Sequence, residues 1–229
     1  MKRVVILTGA GMSAESGIST FRDHDGLWRT HNMADLATPA AWVQNPELVL
    51  EFYNQRRKQL FEVSPNAGHL ALVKLEQKFD VQIITQNVDD LHERAGSSHV
   101  LHLHGELRKV VSTQDPNLIY DIGNRPLKLG DLCEKGSQLR PFVVWFGEPV
   151  PMIHEAAKLA SKAEILIVIG TSMVVYPASG LIHYVAAEVL KFYIDPGAFD
   201  VHGVRNLKVI KKKAGTGVPE LVDELLRNG

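Results

Sequence analysis

Two histidines separated by one residue, His102 and His104, are side chains whose type and spacing could do chemistry in this 229-residue sequence. On a strand both imidazoles would lie on the same face, because side chains alternate from face to face along a strand. Three interpretations stay open: a metal site that adds His92 or His99, one histidine acting as a general base near its ordinary pKa, or a pair of structural histidines. The spacing alone does not choose between them.

A second polar cluster, Gln86–Asp90 (Gln-Asn-Val-Asp-Asp), directly follows the apolar run Val81–Thr85. In open α/β sheets, ligands bind beyond the carboxyl ends of the strands. Amides and carboxylates there suit ribose hydroxyls or a carboxamide, although a turn that caps the next helix has the same composition. The small-residue turn Gly170–Ser172 follows the run Ile165–Ile169 in the same way and could hold phosphate oxygens.

A third feature is the turn Gly9–Gly11, which closely follows the apolar run Val4–Leu7. Glycines let the backbone approach a ligand closely, and a helix N-terminus offers free N–H groups to a pyrophosphate. The next glycine is Gly17, so the spacing is not G-x-G-x-x-G, and a tight strand-to-helix turn without a ligand explains the glycines equally well. Phe21–Asp23 adds an aromatic, a cation and an anion, which suit a ribose or phosphate site through charge-assisted hydrogen bonds.

These polar segments need a scaffold, which a series of short apolar runs supplies. Most runs are apolar on both faces, as is typical of a parallel sheet covered by helices on both sides. The runs are Val4–Leu7, Val81–Thr85, Val100–Leu103, Phe142–Phe146, Ile165–Ile169, Phe192–Ile194 and Leu207–Ile210. Segments with helical spacing alternate with them, among them Leu48–Phe61 and a C-terminal helix in which Pro219 suits the first turn. The sequence therefore predicts a doubly wound α/β fold, interrupted by a helical insertion and by an irregular module at about residues 108–140.

Composition excludes several classes of protein. The chain is 45% hydrophobic and 22% charged with a formal net charge of −1, so it is neither disordered nor collagen-like, and no nucleic-acid or membrane partner is expected. The single cysteine, Cys133, excludes an internal disulfide and a four-cysteine zinc site. The apolar run Val4–Leu7 is too short for a signal peptide and no run is long enough to span a membrane, so a cytoplasmic protein is expected.

Five segments, in this order along the chain, resemble the sirtuins, the NAD-dependent protein lysine deacylases. They are Gly9–Arg22, Thr85–His92, His104-Gly105, Val144–Glu148 and Gly170–Ser172. The resemblance implies an α/β fold with a Rossmann-like parallel sheet, helices on both faces and a small domain made of insertions. Residues 1–23, 66–104 and 141–229 would form the NAD-binding domain, 24–65 a helical insertion, and 105–140 a small insertion like the sirtuin zinc module.

The resemblance also assigns roles to individual residues. His104 is the general base, and Asn87 and Asp89 hold the ribose and the nicotinamide amide of NAD, which is consumed as a co-substrate. The implied NAD-binding residues are Gly9, Ala10, Gly11, Ser13, Glu15, Phe21, Arg22, Trp28, Gln86, Asn87, Val88, Asp89, Gly170, Thr171, Ser172, Asp195 and Ala214. The implied wall that pairs with an extended acyl-lysine protein or peptide consists of Val144, Trp145, Phe146, Gly147 and Glu148.

Tyr53 and Arg56 are the candidate residues for binding the acyl group. They share one face of the predicted helix Leu48–Phe61. Taken alone, the helix fits an amphipathic surface helix with Arg56 and Arg57 in solvent and Tyr53 half buried. Within the resemblance, Tyr53 and Arg56 look like the pair that marks sirtuins accepting negatively charged acyl groups, and Ala37 matches a small residue that widens the same pocket. The implied preference is for succinyl- or malonyl-lysine, with weaker removal of acetyl.

The insertion at 105–140 departs from the family pattern. Most sirtuins carry two Cys-x-x-Cys pairs there, whereas this region has only Cys133, and Ser112 and Asp115 stand roughly where the first pair would be. No zinc is therefore expected, and packing has to hold the module together. The candidate packing residues are Ile119, Tyr120, Leu127, Leu129 and Leu132.

Two further departures bear on function. Asp195 stands where many sirtuins have an asparagine near the adenosine ribose, and Glu106 stands where the family often has serine. A carboxylate at residue 195 can still accept hydrogen bonds from ribose hydroxyls.

Because the zinc cysteines are missing, the alternative to a deacylase is an NAD- or ADP-ribose-binding sensor, or an ADP-ribosyltransferase of the same fold. The oligomeric state is not determined by the sequence.

Overall fold

A computed structural model describes residues 1–19, 33–172, 176 and 178–228 of the chain. Within these ranges the strands are β1 (Arg3–Thr8), β2 (Asp80–Thr85), β3 (Val100–His102), β4 (Gly105–Ser112), β5 (Ile119–Asp121), β6 (Leu139–Val143), β7 (Ile165–Ile169), β8 (Leu190–Ile194) and β9 (Leu207–Ile210). They form a parallel sheet of six strands in the order β3-β2-β1-β7-β8-β9, and an antiparallel sheet of three in the order β5-β4-β6. The first strand order reverses at β1, as in a doubly wound fold.

The register of the parallel sheet brings the carboxyl ends of its central strands to one edge. Thr8 pairs with Thr85 of β2 on one side and with Ile169 of β7 on the other. Thr85 in turn pairs with His102 at the end of β3. Three of the polar segments singled out in the sequence begin directly beyond these positions, so the fold gathers them at one place.

The helices, in chain order, are α1 (Met33–Leu36), α2 (Pro39–Gln44), α3 (Pro46–Glu62), α4 (Ala67–Leu75), α5 (Leu91–Ala95), α6 (Ile153–Ser161) and α7 (Ala214–Asn228), with 3₁₀ turns at Ala10–Met12, Ala14–Ser16 and Ala178–Tyr184. Both α2 and α3 begin with a proline after a capping residue, Thr38 or Asn45, whose side chain accepts a hydrogen bond from a backbone N–H three residues on. In the described part of the chain, no helix combines the length and apolar character needed to cross a membrane.

The C-terminal helix starts earlier than predicted. Pro219 lies inside α7 and not in its first turn, because the helix already begins at Ala214. The carboxylate of Glu15 accepts a hydrogen bond of 2.6 Å from the Gly215 N–H, which satisfies one of the free donors of that earlier first turn.

Alternate residues of the parallel strands enter two different cores. Val4 and Ile6 of β1 pack with α4 and α7 on one face of the sheet, whereas Val5 and Leu7 pack with α6 and the 3₁₀ turn Ala178–Tyr184 on the other. Each fully buried aliphatic side chain contributes about 1.5–3 kcal/mol to folding. The predicted α/β architecture with helices on both faces is thus confirmed.

The run Phe142–Phe146 is not a strand of the parallel sheet, so that prediction was wrong. The observed strand β6 ends at Val143 and pairs antiparallel with β4 in the small sheet. Its burial alternates along the strand, as expected where one face of an antiparallel sheet is open. Because β6 starts at Leu139, it crosses the boundary predicted at residue 140, and the division into domains stays a prediction.

The small sheet has a core of its own, which is only partly the predicted one. Leu127 is buried and Tyr120 packs against the same cluster, but Ile119, Leu129 and Leu132 are exposed. Their places are taken by side chains from β4, β6 and α3. The buried members of this core are Leu50, Val110, Leu127, Cys133 and Leu139.

Ser112 and Asp115, which stand roughly where the resemblance places the first cysteine pair, make other contacts. Cys133 Sγ lies 3.6 Å from Ser112 Oγ, and that hydroxyl also accepts the N–H of Asp115 at 3.2 Å. The Asp115 carboxylate pairs with Lys135 at 2.8 Å. Among the described residues, no group of three or more His, Cys, Asp or Glu side chains is arranged for a metal. The expected absence of zinc stays a prediction.

Candidate functional site

A cleft of ≈ 720 Å³ lies at the carboxyl edge of the parallel sheet. It is walled by the turns after β1, β2, β7 and β8, by α3, and by the segment after β6. Most of the residues to which the sequence gave a binding or catalytic role meet here. They are Gly9, Ala10, Gly11, Glu15, Ala37, Tyr53, Arg56, Gln86, Asn87, Val88, His104, Val144, Trp145, Phe146, Gly147, Glu148, Gly170, Thr171, Ser172 and Asp195.

The remaining predicted site residues lie elsewhere. Ser13 and Asp89 line a small pocket of ≈ 20 Å³ that shares Asn87 with the cleft. Ala214 is buried in the core beneath the sheet and does not line the cleft. Phe21, Arg22 and Trp28 lie outside the described residues.

The glycine turns after β1 and β7 pack directly on one another. A Cβ added to Gly9 would come within 2.7 Å of the Gly170 carbonyl oxygen, and one added to Gly170 would come within 2.3 Å of the Met12 nitrogen. Gly170 also has a positive φ of 62°, which favours glycine. Close approach of two backbones therefore explains these glycines, and the two turns together form one floor of the cleft.

The Asn87 side chain is held in a single orientation. Its amide Nδ2 donates to the Gly9 carbonyl and to Ser13 Oγ, both at 3.1 Å, and its backbone N–H donates to Thr85 Oγ1 at 3.0 Å. Both amide hydrogens are thus used, so the amide oxygen is the remaining hydrogen-bonding group of this side chain. It can accept a bond from a hydroxyl or a carboxamide in the cleft.

Asp89 is buried next to Asn87. Burial raises the pKa of its carboxyl group, and a hydrogen bond from Ser13 and one from the Leu91 N–H oppose that rise. A buried carboxyl group of this kind can bind an amide N–H of a ligand in the small pocket, where water competes little.

His104 presents one ring nitrogen as a base. Its Nδ1 lies 3.0 Å from the Gln86 carbonyl oxygen. A carbonyl only accepts hydrogen bonds, so Nδ1 carries the proton of the neutral ring and Nε2 is left as the proton acceptor. Burial lowers the pKa of His104, although the bond to Gln86 opposes it, so the neutral form is favoured at neutral pH.

His102 has a different environment, although it lies two residues from His104. Its Nε2 lies 2.7 Å from the Glu93 carboxylate and its Nδ1 lies 3.2 Å from the Asn87 carbonyl oxygen. Burial alone would lower its pKa, but the hydrogen bond and charge of Glu93 raise the pKa overall. Both ring nitrogens of His102 already face protein oxygens, so neither is directed at a metal or at a substrate proton. These contacts favour the structural interpretation for His102 and the general-base interpretation for His104.

Tyr53 and Arg56 face the cleft from α3, next to Ala37. Tyr53 is 5% exposed and Arg57 is 1% exposed, so the interpretation of α3 as a solvated surface helix is wrong. Burial lowers the pKa of the Arg56 guanidinium, and the nearby Tyr53 and Asp89 oppose that shift. The Arg56 guanidinium lies 5.7 Å from the centre of the Phe52 ring, a cation–π contact that steadies it. A cation and a phenol at one end of a cleft are suited to bind a carboxylate.

The segment after β6 is held in place by several hydrogen bonds. Glu148 accepts the Trp145 N–H at 2.7 Å and forms two hydrogen bonds with Arg140, at 2.8 and 3.1 Å. Phe146 N–H donates to the Ala37 carbonyl at 2.9 Å. The Glu148 carboxylate therefore stabilises this wall through its hydrogen bonds and is not simply a group that binds a ligand.

Sequence reasoning missed several residues of the cleft. Pro196 and Gly197 follow β8 as Gly170 follows β7, so the rule that ligands bind beyond strand ends would have found them. Gly197 donates its N–H to the Asp195 carboxylate at 2.8 Å. The others had no signal in the sequence. The missed lining residues are Ala14, Phe52, Val143, Val150, Tyr176, Pro196, Gly197 and Lys213.

Comparisons with known proteins agree on one family. The family described as Sir2 matches residues 9–177. An NAD-dependent protein deacylase of Helicobacter pylori (strain ATCC 700392 / 26695) is 54% identical over 226 residues, covering 99% of this chain and 98% of that protein. One of Bacteroides thetaiotaomicron is 54% identical over 231 residues, covering 99% of both chains.

Comparisons with solved structures identify the same family. A Sir2 homologue in complex with ADP-ribose superposes with a TM-score of 0.91 at 41% identity, covering 99% of this chain and 93% of that one. A Sir2 homologue in complex with NAD has a TM-score of 0.88 at 41% identity, covering 99% and 90%. The family match spans most of the sequence, and both relatives and structures cover nearly all of it. The chain therefore belongs to the Sir2 family, the sirtuins.

Proposed function

We propose that this sirtuin is an NAD-dependent protein lysine deacylase that releases nicotinamide and an O-acyl-ADP-ribose. The observation that carries the proposal is the neutral His104 in the cleft, with Nδ1 occupied by the Gln86 carbonyl and Nε2 left as a base. The names of the relatives and the ADP-ribose and NAD complexes of the homologous structures support the same activity.

The cleft fits such a nucleotide at several points. The backbone turns at Gly9–Gly11 and Gly170–Ser172 offer small residues for a pyrophosphate to approach, and Asp195 can accept hydrogen bonds from ribose hydroxyls. The oriented Asn87 oxygen and the buried Asp89 carboxyl group suit the ribose and the nicotinamide carboxamide.

NAD and the side chains of the protein contribute different parts of the reaction. When bound, NAD supplies a ribose carbon that loses nicotinamide and accepts the acyl oxygen of the modified lysine. Asn87 and Asp89 hold that ribose and the departing amide so that the carbon faces the acyl group, which lowers the entropic part of the barrier. With NAD bound, His104 Nε2 would accept a proton from a ribose hydroxyl, which would make that oxygen the nucleophile toward the acyl group. Water completes the release of free lysine.

The second part of the proposal concerns the acyl group: succinyl- or malonyl-lysine is preferred, and acetyl-lysine is a weaker substrate. Arg56 and Tyr53 line the same end of the cleft as Ala37, whose small side chain leaves room for a longer acyl chain. An acyl group that ends in a carboxylate can pair with the guanidinium, whereas a methyl group cannot. A hydrogen bond to a charged group contributes about 1.5–3 kcal/mol, or roughly 10–150-fold in discrimination.

A panel of acetyl-, malonyl- and succinyl-lysine peptides with one common sequence tests this preference. The wild-type kcat/KM is expected to be highest for malonyl or succinyl. Arg56→Met keeps an unbranched side chain without the charge, so it should lower kcat/KM for the carboxylate-bearing peptides by roughly 10–150-fold and change acetyl removal far less. Equal losses on all three peptides, or a wild type that favours acetyl-lysine, would refute the role of Arg56.

The same assay separates the deacylase from the alternative activities. Nicotinamide release is expected only when an acyl-lysine peptide is present, because the acyl oxygen is the group that displaces nicotinamide. Release that proceeds equally well without an acyl group would favour an ADP-ribosyltransferase. Binding of NAD with no release at all would favour a sensor.

A further inference from the structure

An unusual buried contact joins the wall of the cleft to the acyl-binding end. Trp145 Nε1 lies 3.1 Å from the Tyr53 hydroxyl oxygen, and the two side chains are 2% and 5% exposed. These residues are 92 positions apart in the sequence. Neither the peptide-binding wall nor the acyl pocket, considered separately, requires a hydrogen bond between them.

The direction of this hydrogen bond is fixed by chemistry. An indole N–H only donates, whereas a phenol has one donor hydrogen and two acceptor lone pairs. Trp145 must therefore be the donor and Tyr53 the acceptor. The proton of Tyr53 is consequently directed away from Trp145, and Tyr53 lines the cleft, so that proton is available to an acceptor bound there.

The indole is held rigidly enough to impose that direction. The Arg140 guanidinium lies 3.9 Å from the centre of the Trp145 ring, and Trp42 packs on it with ring centres 5.8 Å apart. The backbone N–H of Trp145 donates to Glu148, which in turn holds Arg140. The indole therefore cannot swing away from Tyr53 without breaking several other contacts.

We propose that Trp145 is a positioning residue for acyl specificity: by donating to Tyr53, it keeps the phenol hydrogen aimed at the terminal carboxylate of a succinyl or malonyl group. The inference rests on the proposed preference for such groups and adds a residue that acts on the acyl group only through Tyr53. The phenol serves as a donor throughout the working range, since burial raises its pKa to about 12. Acetyl-lysine ends in a methyl group, so the orientation of the Tyr53 hydrogen matters little for it.

Trp145→Phe tests the proposal, because phenylalanine keeps a six-membered aromatic ring but lacks the indole N–H donor. The Tyr53 hydroxyl is then free to turn a lone pair toward the carboxylate. We expect the ratio of succinyl to acetyl kcat/KM to fall by about 2–10-fold, the value of one ordinary hydrogen bond, mainly through KM for the acyl peptide. Tyr120→Phe is the matched control, since it removes the hydroxyl of a tyrosine that lies in β5 of the small sheet and does not line the cleft, and it should leave the ratio unchanged.

A double-mutant cycle with Tyr53→Phe shows whether Trp145 acts through the phenol. If it does, Trp145→Phe has no further effect on the ratio once Tyr53 lacks its hydroxyl. A fall in the ratio that persists in the Tyr53→Phe background, or an equal loss on acetyl and succinyl peptides, would overturn the proposal. If the wild type shows no preference for carboxylate-bearing acyl groups, the proposed function itself fails; if it does and Trp145→Phe retains that preference, only this inference fails.

A measurement on the wild-type protein covers the case in which Trp145→Phe does not fold. The indole N–H resonances of the three tryptophans can be followed by ¹⁵N NMR, with Trp28→Phe and Trp42→Phe used to separate the assignments. A succinyl peptide should shift the Trp145 resonance, because a carboxylate that accepts the Tyr53 hydrogen makes the phenol oxygen a stronger acceptor. Identical responses to succinyl and acetyl peptides would contradict the proposal.

Discussion

The two histidines His102 and His104 differ in the groups that their rings meet. His102 and His104 each direct Nδ1 at a carbonyl of the segment after β2, but only His102 also meets a carboxylate, that of Glu93. His102 ends β3 and His104 lies between β3 and β4, so the expected shared strand face is not observed, and the pKa is raised in His102 and lowered in His104. The difference is electrostatic, since burial without a counter-ion disfavours an imidazolium and a carboxylate partner favours it.

His104→Ala should abolish deacylation while the protein stays folded and still binds NAD. Loss of a general base typically costs about 10²–10⁴-fold in rate, which acyl-peptide turnover would measure directly. His102→Ala is the comparison and should cost less activity, because His102 has no free nitrogen. Near-wild-type turnover by His104→Ala would contradict the assignment of the base.

The pH profile gives a second measure of the same base. The active form of His104 is the neutral one, which exists above its pKa, and burial lowers that pKa from 6.5. The acidic limb of the kcat/KM profile should therefore be centred below pH 6.5. An acidic limb centred above pH 6.5 would show that another group controls the reaction.

At the scale of elements, α3 joins the cleft to the small antiparallel sheet. One side of the helix carries Tyr53 and Arg56, whereas Asn54 and Arg57 contact the small sheet and its loops. Asn54 forms a pair of hydrogen bonds with the backbone of Leu127, at 2.8 and 2.9 Å. The Arg57 guanidinium donates to the Leu107 carbonyl and to Asn54, both at 2.7 Å. The module that lacks zinc cysteines is thus tied to the helix by buried polar contacts as well as by its apolar core.

Asn54→Leu should destabilise the protein. The change leaves the Leu127 backbone N–H and carbonyl without their partners, and an unsatisfied buried polar group costs about 1–3 kcal/mol of unfolding free energy. Urea denaturation measures the loss. Gln55→Leu is the control, because Gln55 is exposed and, within the described part of the chain, its side chain bonds to Glu51 of the same helix. Equal stability of the two variants would show that the Asn54 contacts do not hold the module.

At the scale of the whole molecule, stability should not depend on a metal. The described residues offer no cluster of metal ligands, and Ser112 and Cys133 contact each other instead. Elemental analysis of untagged protein is expected to find far less than one zinc per chain, and dialysis against a chelator should leave Tm unchanged. One tightly bound zinc, or a lower Tm after chelation, would reveal ligands of another kind.

Much of the molecule could be predicted from sequence because its determinants are local. Runs such as Ile165–Ile169 coincide with a strand to the residue, since a strand buried on both faces has to be apolar throughout. The polar turns after β1, β2 and β7 had to meet once those strands were parallel neighbours. The prediction for the run Phe142–Phe146 was wrong because apolar character predicts a buried strand but does not specify the sheet to which that strand belongs.

What the sequence by itself determined is the α/β core, the place where its strand ends meet, and the family to which the chain belongs. The tertiary structure alone decided which carbonyl each histidine ring faces, that Tyr53 and Arg57 are buried, and that Trp145 donates to Tyr53. These facts depend on atoms from segments far apart in the chain. Spacing along the chain carries periodicity and turn chemistry, whereas the dielectric environment and the hydrogen-bond partner of a side chain exist only after distant elements have packed.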